Sequence, residues 1–86
     1  MDTRRKRLLY RAKHRGTKEA DLVVGGFVQS HITALVEVEL EDLELLLEIS
    51  DADLMDWVTG RKEVPDSIEN PFIVLLLDYY KSTLTS

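Results

Sequence analysis

The string Arg15-Gly16-Thr17-Lys18-Glu19 sets a guanidinium and a carboxylate four residues apart across a glycine. Glycine lets the backbone turn without a Cβ clash, so both charges can be displayed side by side at a tight corner. Two uses of such a corner stand open. Arg15 can neutralise the carbonyl end of a preceding helix and Glu19 the amide end of a following one, each contributing about 0.3–1 kcal/mol. Alternatively, the two form an ionic contact surface for another molecule.

Other candidate chemistry is thinner. His14 and His31 are far apart and not at metal-ligand spacing, so a metal site is not expected. Asp51, Asp53 and Asp56 have the look of a calcium loop without its glycine and terminal glutamate, and suit helix capping better. Gly25-Gly26 follows no strand, so it is not a phosphate loop. The carboxylates are many, yet abundance on acidic helices is no catalytic arrangement. Arg4 to Arg7 is a dense basic run, and Tyr10 could stack on a base. Against nucleic acid stand the acidic balance of the chain and the want of a helix-turn-helix pattern. No catalytic residue is expected.

Positioning these groups falls to a small frame. The 86 residues are 44% hydrophobic and 31% charged, with no cysteine, which fits one globular domain over residues 1–86 with its core at about 4–82. The net charge of −5 is unevenly spread. Residues 1–18 hold eight cations against Asp2 alone, a net +7, while the other 68 residues hold three cations against fifteen acids, a net −12. A basic end attracts anionic partners, and it can equally dock its own acidic neighbours. No uncharged stretch reaches the roughly 20 residues that span a bilayer, so no membrane insertion is expected. No apolar signal core follows the basic N-terminus, and a cytoplasmic location is expected.

Apolar spacing of three and four predicts an all-α, compact five-helix bundle. The first helix is expected over about Thr3 to His14, capped by Asp2 or Thr3, with Leu8, Leu9 and Ala12 inward. The second starts after Thr17 and buries Ala20, Val23, Val24, Phe27, Val28, Ile32 and Leu35. Within it, Gly25-Gly26 means either a close helix crossing or a break. A third runs from about Glu37 to Ile49 on Leu40, Leu43, Leu46 and Leu47. Ser50 caps a short fourth helix holding Leu54, Trp57 and Val58, which stops at Gly60. After a polar connection, Asn70-Pro71 opens the fifth helix, with Phe72, Ile73, Leu76, Leu77 and Tyr80 inward and fraying near Ser82.

Leu8-Leu9-Tyr10, the Arg15–Glu19 string with Asp21-Leu22 behind it, Phe27, the acidic Leu-rich segment 40–48, Asp51-Ala52-Asp53-Leu54 before Trp57, and Pro65 together resemble the SdhE family of flavinylation factors, also called succinate dehydrogenase assembly factor 2. The resemblance spans about residues 4 to 80. Thr17 stands where the family often has Met, and Gly25-Gly26 loosens a helix that is usually better filled. The resemblance implies a five-helix factor, not an enzyme. It would bind the flavoprotein subunit of succinate dehydrogenase, and in bacteria fumarate reductase, and promote covalent attachment of FAD to a histidine of that subunit. Carried over by position, Arg15, Gly16 and Glu19 would be the partner-binding corner, with Tyr10 and Arg11 as neighbours. No FAD or metal would be stably bound by the factor, because the flavin is held by the partner. A rival reading is a small helical adaptor that binds another anionic partner or nucleic acid through residues 4 to 18. A third, an FAD carrier, has no dinucleotide fingerprint to support it.

Overall fold

The three-and-four spacing of apolar residues becomes five α-helices and no strand among the described residues, which are residues 1–84 of a computed structural model. Helix α1 (Thr3–Lys13) packs along α2 (Lys18–His31), which tightens into a 3-10 turn over Ile32–Ala34. Helix α3 (Glu37–Leu47) lies against α1 and α5 (Pro71–Tyr79), and the short α4 (Asp51–Val58) packs on α5.

Each start has a chemical cause. Asp2 accepts the Arg5 backbone N–H at 2.8 Å, and Thr17 and Ser50 accept those of Ala20 and Asp53, both at 3.2 Å. Asn70 accepts from Phe72 N–H at 2.9 Å, with Pro71 supplying the fixed φ of a first helical residue. At α3 the bond runs backwards: the Glu39 carboxylate accepts the Val36 N–H at 2.8 Å. Gly16 (φ 114°) and Gly60 (φ 79°) occupy the left-handed region that the exits from α1 and α4 require.

All seven residues expected inward on the second helix are buried, five on α2, Ile32 in the 3-10 turn and Leu35 just after it, as are Leu40, Leu43, Leu46 and Leu47 on α3 and Leu54, Trp57 and Val58 on α4. Phe27 is at the centre, edge-on to Phe72 with centroids 6.2 Å apart and to Tyr79 at 5.8 Å. Leu9, Leu77 and Tyr80 are only partly buried at its margin.

The structure decides what Gly25-Gly26 does: α2 runs through it unbroken. A Cβ on Gly25 would lie 3.2 Å from Lys13 Cα and 3.4 Å from the Ala12 carbonyl, so this glycine is where α1 crosses closely. One on Gly26 would collide with the Tyr79 hydroxyl. Three expected boundaries shift. Helix α1 ends at Lys13 rather than His14, and α3 ends at Leu47 rather than Ile49. The chain after α5 does not fray at Ser82 but widens into a π turn over Tyr80–Leu84.

Candidate functional site

The α1–α2 corner is built from both sides. His14 closes α1 by donating its N–H to the Arg11 carbonyl at 3.4 Å, and Thr17 opens α2. Between them the Arg15 backbone N–H donates to the Asp21 carboxylate at 2.5 Å, which holds the turn against the first coil of α2.

Arg15 then leaves the corner. Its side chain is only 9% exposed and reaches the α3–α4 junction. There it donates to the Leu47 carbonyl at 2.9 Å, to the Ile49 carbonyl and to the Asp51 carboxylate. Leu47 ends α3 and Ile49 follows it, so these carbonyls lack partners within the helix, while Asp51 is the first residue of α4. Planar guanidinium donors suit such a divergent set of oxygens. Arg15 does neutralise a helix C-terminus, then, but that of α3 rather than its own.

Glu19 is different. It is exposed in the first turn of α2 and makes no hydrogen bond or ion pair among the described residues. The side-by-side display expected of Arg15 and Glu19 therefore gives way to a division: one charge is buried and spent, the other exposed and free. Gly16 is exposed between them, with nothing within 4 Å of where a Cβ would stand. Its requirement is the positive φ and not space. Beyond Glu19 lie two shallow depressions, one shared with Leu22, Val23, Met55 and Tyr80, the other with Lys18, Asp51 and Met55. Leu22 is 64% exposed beside this carboxylate.

Tyr10 and Arg11 are both exposed on the far side of the corner. The Tyr10 ring stacks on His14 at 4.0 Å, and His14 Nδ1 is 2.8 Å from the Tyr10 carbonyl, which requires the proton on Nδ1. A depression lined by Tyr10, Arg11, His14, Arg15 and Leu47 brings these expected residues onto one surface with Arg15's covered flank.

The basic run is less free than its sequence implies. Arg4 is clasped by Glu37 and Glu44 of α3. Arg5 pairs with Asp2 and donates to the carbonyls of Ile32, at 3.0 Å, and Leu35. Docking onto acidic neighbours thus accounts for two of the four cations, whereas Lys6 and Arg7 are exposed with no such bond among the described residues. The bond that it donates to Glu44 makes the Arg4 guanidinium harder to deprotonate. The Arg5 N–H holds the Asp2 carboxyl below its ordinary pKa. Of the acids with the look of a calcium loop, Asp51 serves Arg15, and Asp56 faces Lys62 at 3.5 Å and Arg61 at 3.8 Å. Among the described residues no three His, Cys, Asp or Glu side chains gather as metal ligands, and no helix is long and apolar enough to cross a membrane.

Sequence reasoning missed Asp21 and Asp51 as the partners that lock the corner. Each is one acid among many in first helical turns, and nothing in the spacing marks the Arg15 backbone N–H as the partner of Asp21 or a guanidinium 36 residues away as that of Asp51.

Known proteins resemble the chain over most of its length. The chain is 43% identical over 70 residues to the FAD assembly factor SdhE of Acetobacter pasteurianus, covering 81% of this chain and 64% of that protein. It is 38% identical over 78 residues to the mitochondrial succinate dehydrogenase assembly factor 2 of Dictyostelium discoideum, covering 91% and 55%. With that of Arabidopsis thaliana it shares 34% identity over 64 residues, covering 74% and 34%. The chain thus spans between about a third and two thirds of the length of these relatives. A family model described as flavinator of succinate dehydrogenase matches residues 6–80, nearly everything from α1 through α5, and the chain belongs to that family.

Proposed function

We propose that this chain is a non-enzymatic assembly factor that binds the flavoprotein subunit of succinate dehydrogenase, and in bacteria fumarate reductase, and promotes covalent attachment of FAD to a histidine of that subunit. Family membership supports the partner. The observation that carries the site is the uncommitted Glu19 carboxylate beside the bare left-handed backbone of Gly16. A charge with no partner of its own, next to backbone that carries no side chain, suits contact with another protein.

Attachment requires an activated flavin 8-methyl group and an acceptor imidazole within reach, which is a positioning problem. A helper with no redox group acts by binding the competent arrangement of its partner more tightly than the others. The flavin stays with the partner, no FAD is held stably by this chain, and its place of action is the cytoplasm. Arg15 contributes from behind: it fixes the corner to the α3–α4 junction, so that Gly16 and Glu19 are presented on a stiff mount. The rival adaptor reading through residues 4 to 18 is weakened because Arg4 and Arg5 are tied to the chain itself.

The test is in-gel flavin fluorescence of the denatured succinate dehydrogenase flavoprotein subunit, which reports covalent FAD, in cells that lack this gene. Wild type should restore the signal. Glu19→Ala should fold, changing stability by no more than about 1 kcal/mol, and fail to restore it. Full fluorescence without the gene would refute the function, and full fluorescence with Glu19→Ala would refute the corner.

A further inference from the structure

We infer that the outer face of α1, formed by Arg7, Tyr10, Arg11 and His14, is a second contact surface, fitted to an acidic segment of the partner that carries two carboxylates about one helical turn apart. It rests on the reading that the chain binds a flavoprotein. The four residues fall at spacings of three and four and share one side of the helix. All four are exposed, with Tyr10 at 64%. Neither Arg7 nor Arg11 makes an ion pair among the described residues, while Arg4 and Arg5, just before them, are fully engaged.

Two depressions meet on this face. One is lined by Arg4, Arg7, Leu8, Arg11 and Glu44, the other by Tyr10, Arg11, His14, Arg15 and Leu47. Arg11 is common to both, so the two make a continuous seam along α1 beside α3. The Tyr10–His14 stack stiffens its second half and supplies an apolar plane against which an aliphatic stem can lie. Forks at Arg7 and Arg11 can each take a carboxylate in two parallel bonds.

Charge and size select the occupant. From residue 7 to residue 14 the axis advances about 10 Å, enough for two carboxylates. A nucleic acid carries its charge onward at every nucleotide, and beyond the ridge it would run onto a body of net −12. A protein segment can end its negative charge where the ridge ends.

The test measures binding of the full chain to the flavoprotein subunit of succinate dehydrogenase from the same cells. The variants are Arg7→Glu/Arg11→Glu, the milder Arg7→Gln/Arg11→Gln, and Lys6→Glu as a control at the margin of this face whose charge change equals that of the neutral pair. The reversal should weaken binding by about tenfold or more at low salt and by less once salt screens the charges. The neutral pair should fall between it and wild type, Lys6→Glu should stay within about threefold, and all should melt with wild type because the exposed arginines tie nothing. A photocrosslinker in place of Tyr10 should capture a flavoprotein peptide bearing the two acids. Wild-type affinity in both double variants, or a captured peptide without acids, overturns the ridge while leaving the flavoprotein reading intact. A labelled single-stranded 20-mer that binds the ridge in competition with the flavoprotein overturns the choice of a protein segment. No flavoprotein binding by the wild-type chain overturns both readings.

Discussion

Replacing Arg15 by Ala removes the tie between the α1–α2 corner and the α3–α4 junction. The side chain is 9% exposed and satisfies three oxygens, the Leu47 and Ile49 carbonyls and the Asp51 carboxylate. Charged hydrogen bonds are worth about 1.5–3 kcal/mol each, so a naive total exceeds 4 kcal/mol by a wide margin. The total overshoots because Ala opens the junction to water, which rehydrates the two carbonyls, and because Asp51, 24% exposed, is already partly solvated. The dipole of α3 adds to this, since a cation at a partly buried helix C-terminus contributes up to about 2 kcal/mol. The expected loss is about 2–4 kcal/mol, a large part of the stability of a domain this size.

At about 4–8 °C per kcal/mol, Arg15→Ala should lower the melting temperature by roughly 8–32 °C. Arg15→Lys keeps a charge but cannot span three divergent acceptors, so it should recover about half of the loss. Thermal melts of Arg15→Ala, Asp51→Ala and the double variant should show coupling of about 1–3 kcal/mol between the two positions. A melting temperature within about 4 °C of wild type for Arg15→Ala, with no coupling to Asp51, would refute the tie and return Arg15 to the surface as a contact residue. With the expected drop in melting temperature, loss of covalent flavin in this variant is no measure of contact until the same experiment is run where the protein is still folded.

Trp57→Ala, at a site 7% exposed in the core, should cost about 3–5 kcal/mol and unfold much of the domain; an unaltered melt with lost flavinylation would make Trp57 a contact residue. Gly25→Ala should cost about 1–3 kcal/mol, because the added methyl meets the Lys13 backbone and α1 must move off α2. Gly26→Ala should lie within about 1 kcal/mol of wild type, since only the end of the Tyr79 side chain is in the way and helix propensity rises. Equal melts for the two would refute the distinction. The Asp2 cap should be titratable: its carboxyl is depressed by the Arg5 N–H, so its contribution is present above the unfolded value near 3.9 and lost as pH falls through the folded one. Melts of wild type and Asp2→Asn should therefore differ at pH 5 and converge in strong acid, and a constant difference would exclude the cap as its source.

The helices were legible because their signals are local. Seven inward positions from α2 through the turn that follows it and four on α3 follow from spacing alone, and Asn70-Pro71 and Ser50 mark their helix starts within two residues of the chain. The role of Gly25-Gly26 was not, because a glycine pair reads the same whether a helix breaks or another crosses it. Only the position of Lys13 decides. Arg15 is the clearest case. Its neighbours Gly16 and Thr17 correctly mark a corner, but the oxygens it binds belong to Leu47, Ile49 and Asp51, and two of them are backbone carbonyls that carry no signature in sequence. For the same reason Arg4 and Arg7 look alike in the basic run, although one is clasped by α3 and the other has no ion pair among the described residues.

The motif itself then separates into parts with different physical duties. A contact charge must be desolvated when the partner arrives, so it does best uncommitted beforehand, as Glu19 is. Position matters as much as charge, and a corner swinging on a glycine with φ of 114° would lose that position unless something fixed it. Asp21 fixes the corner's backbone and Arg15 fixes it to a second pair of helices, at the expense of a guanidinium that no longer faces outward. The positive charge lost from the surface at Arg15 is present one turn earlier at Arg11, exposed and unpaired among the described residues. Loss of flavinylation from Arg15→Ala and from Arg11→Glu would thus have different origins, the first in the mount and the second in the contact. Lower temperature should rescue the first and not the second.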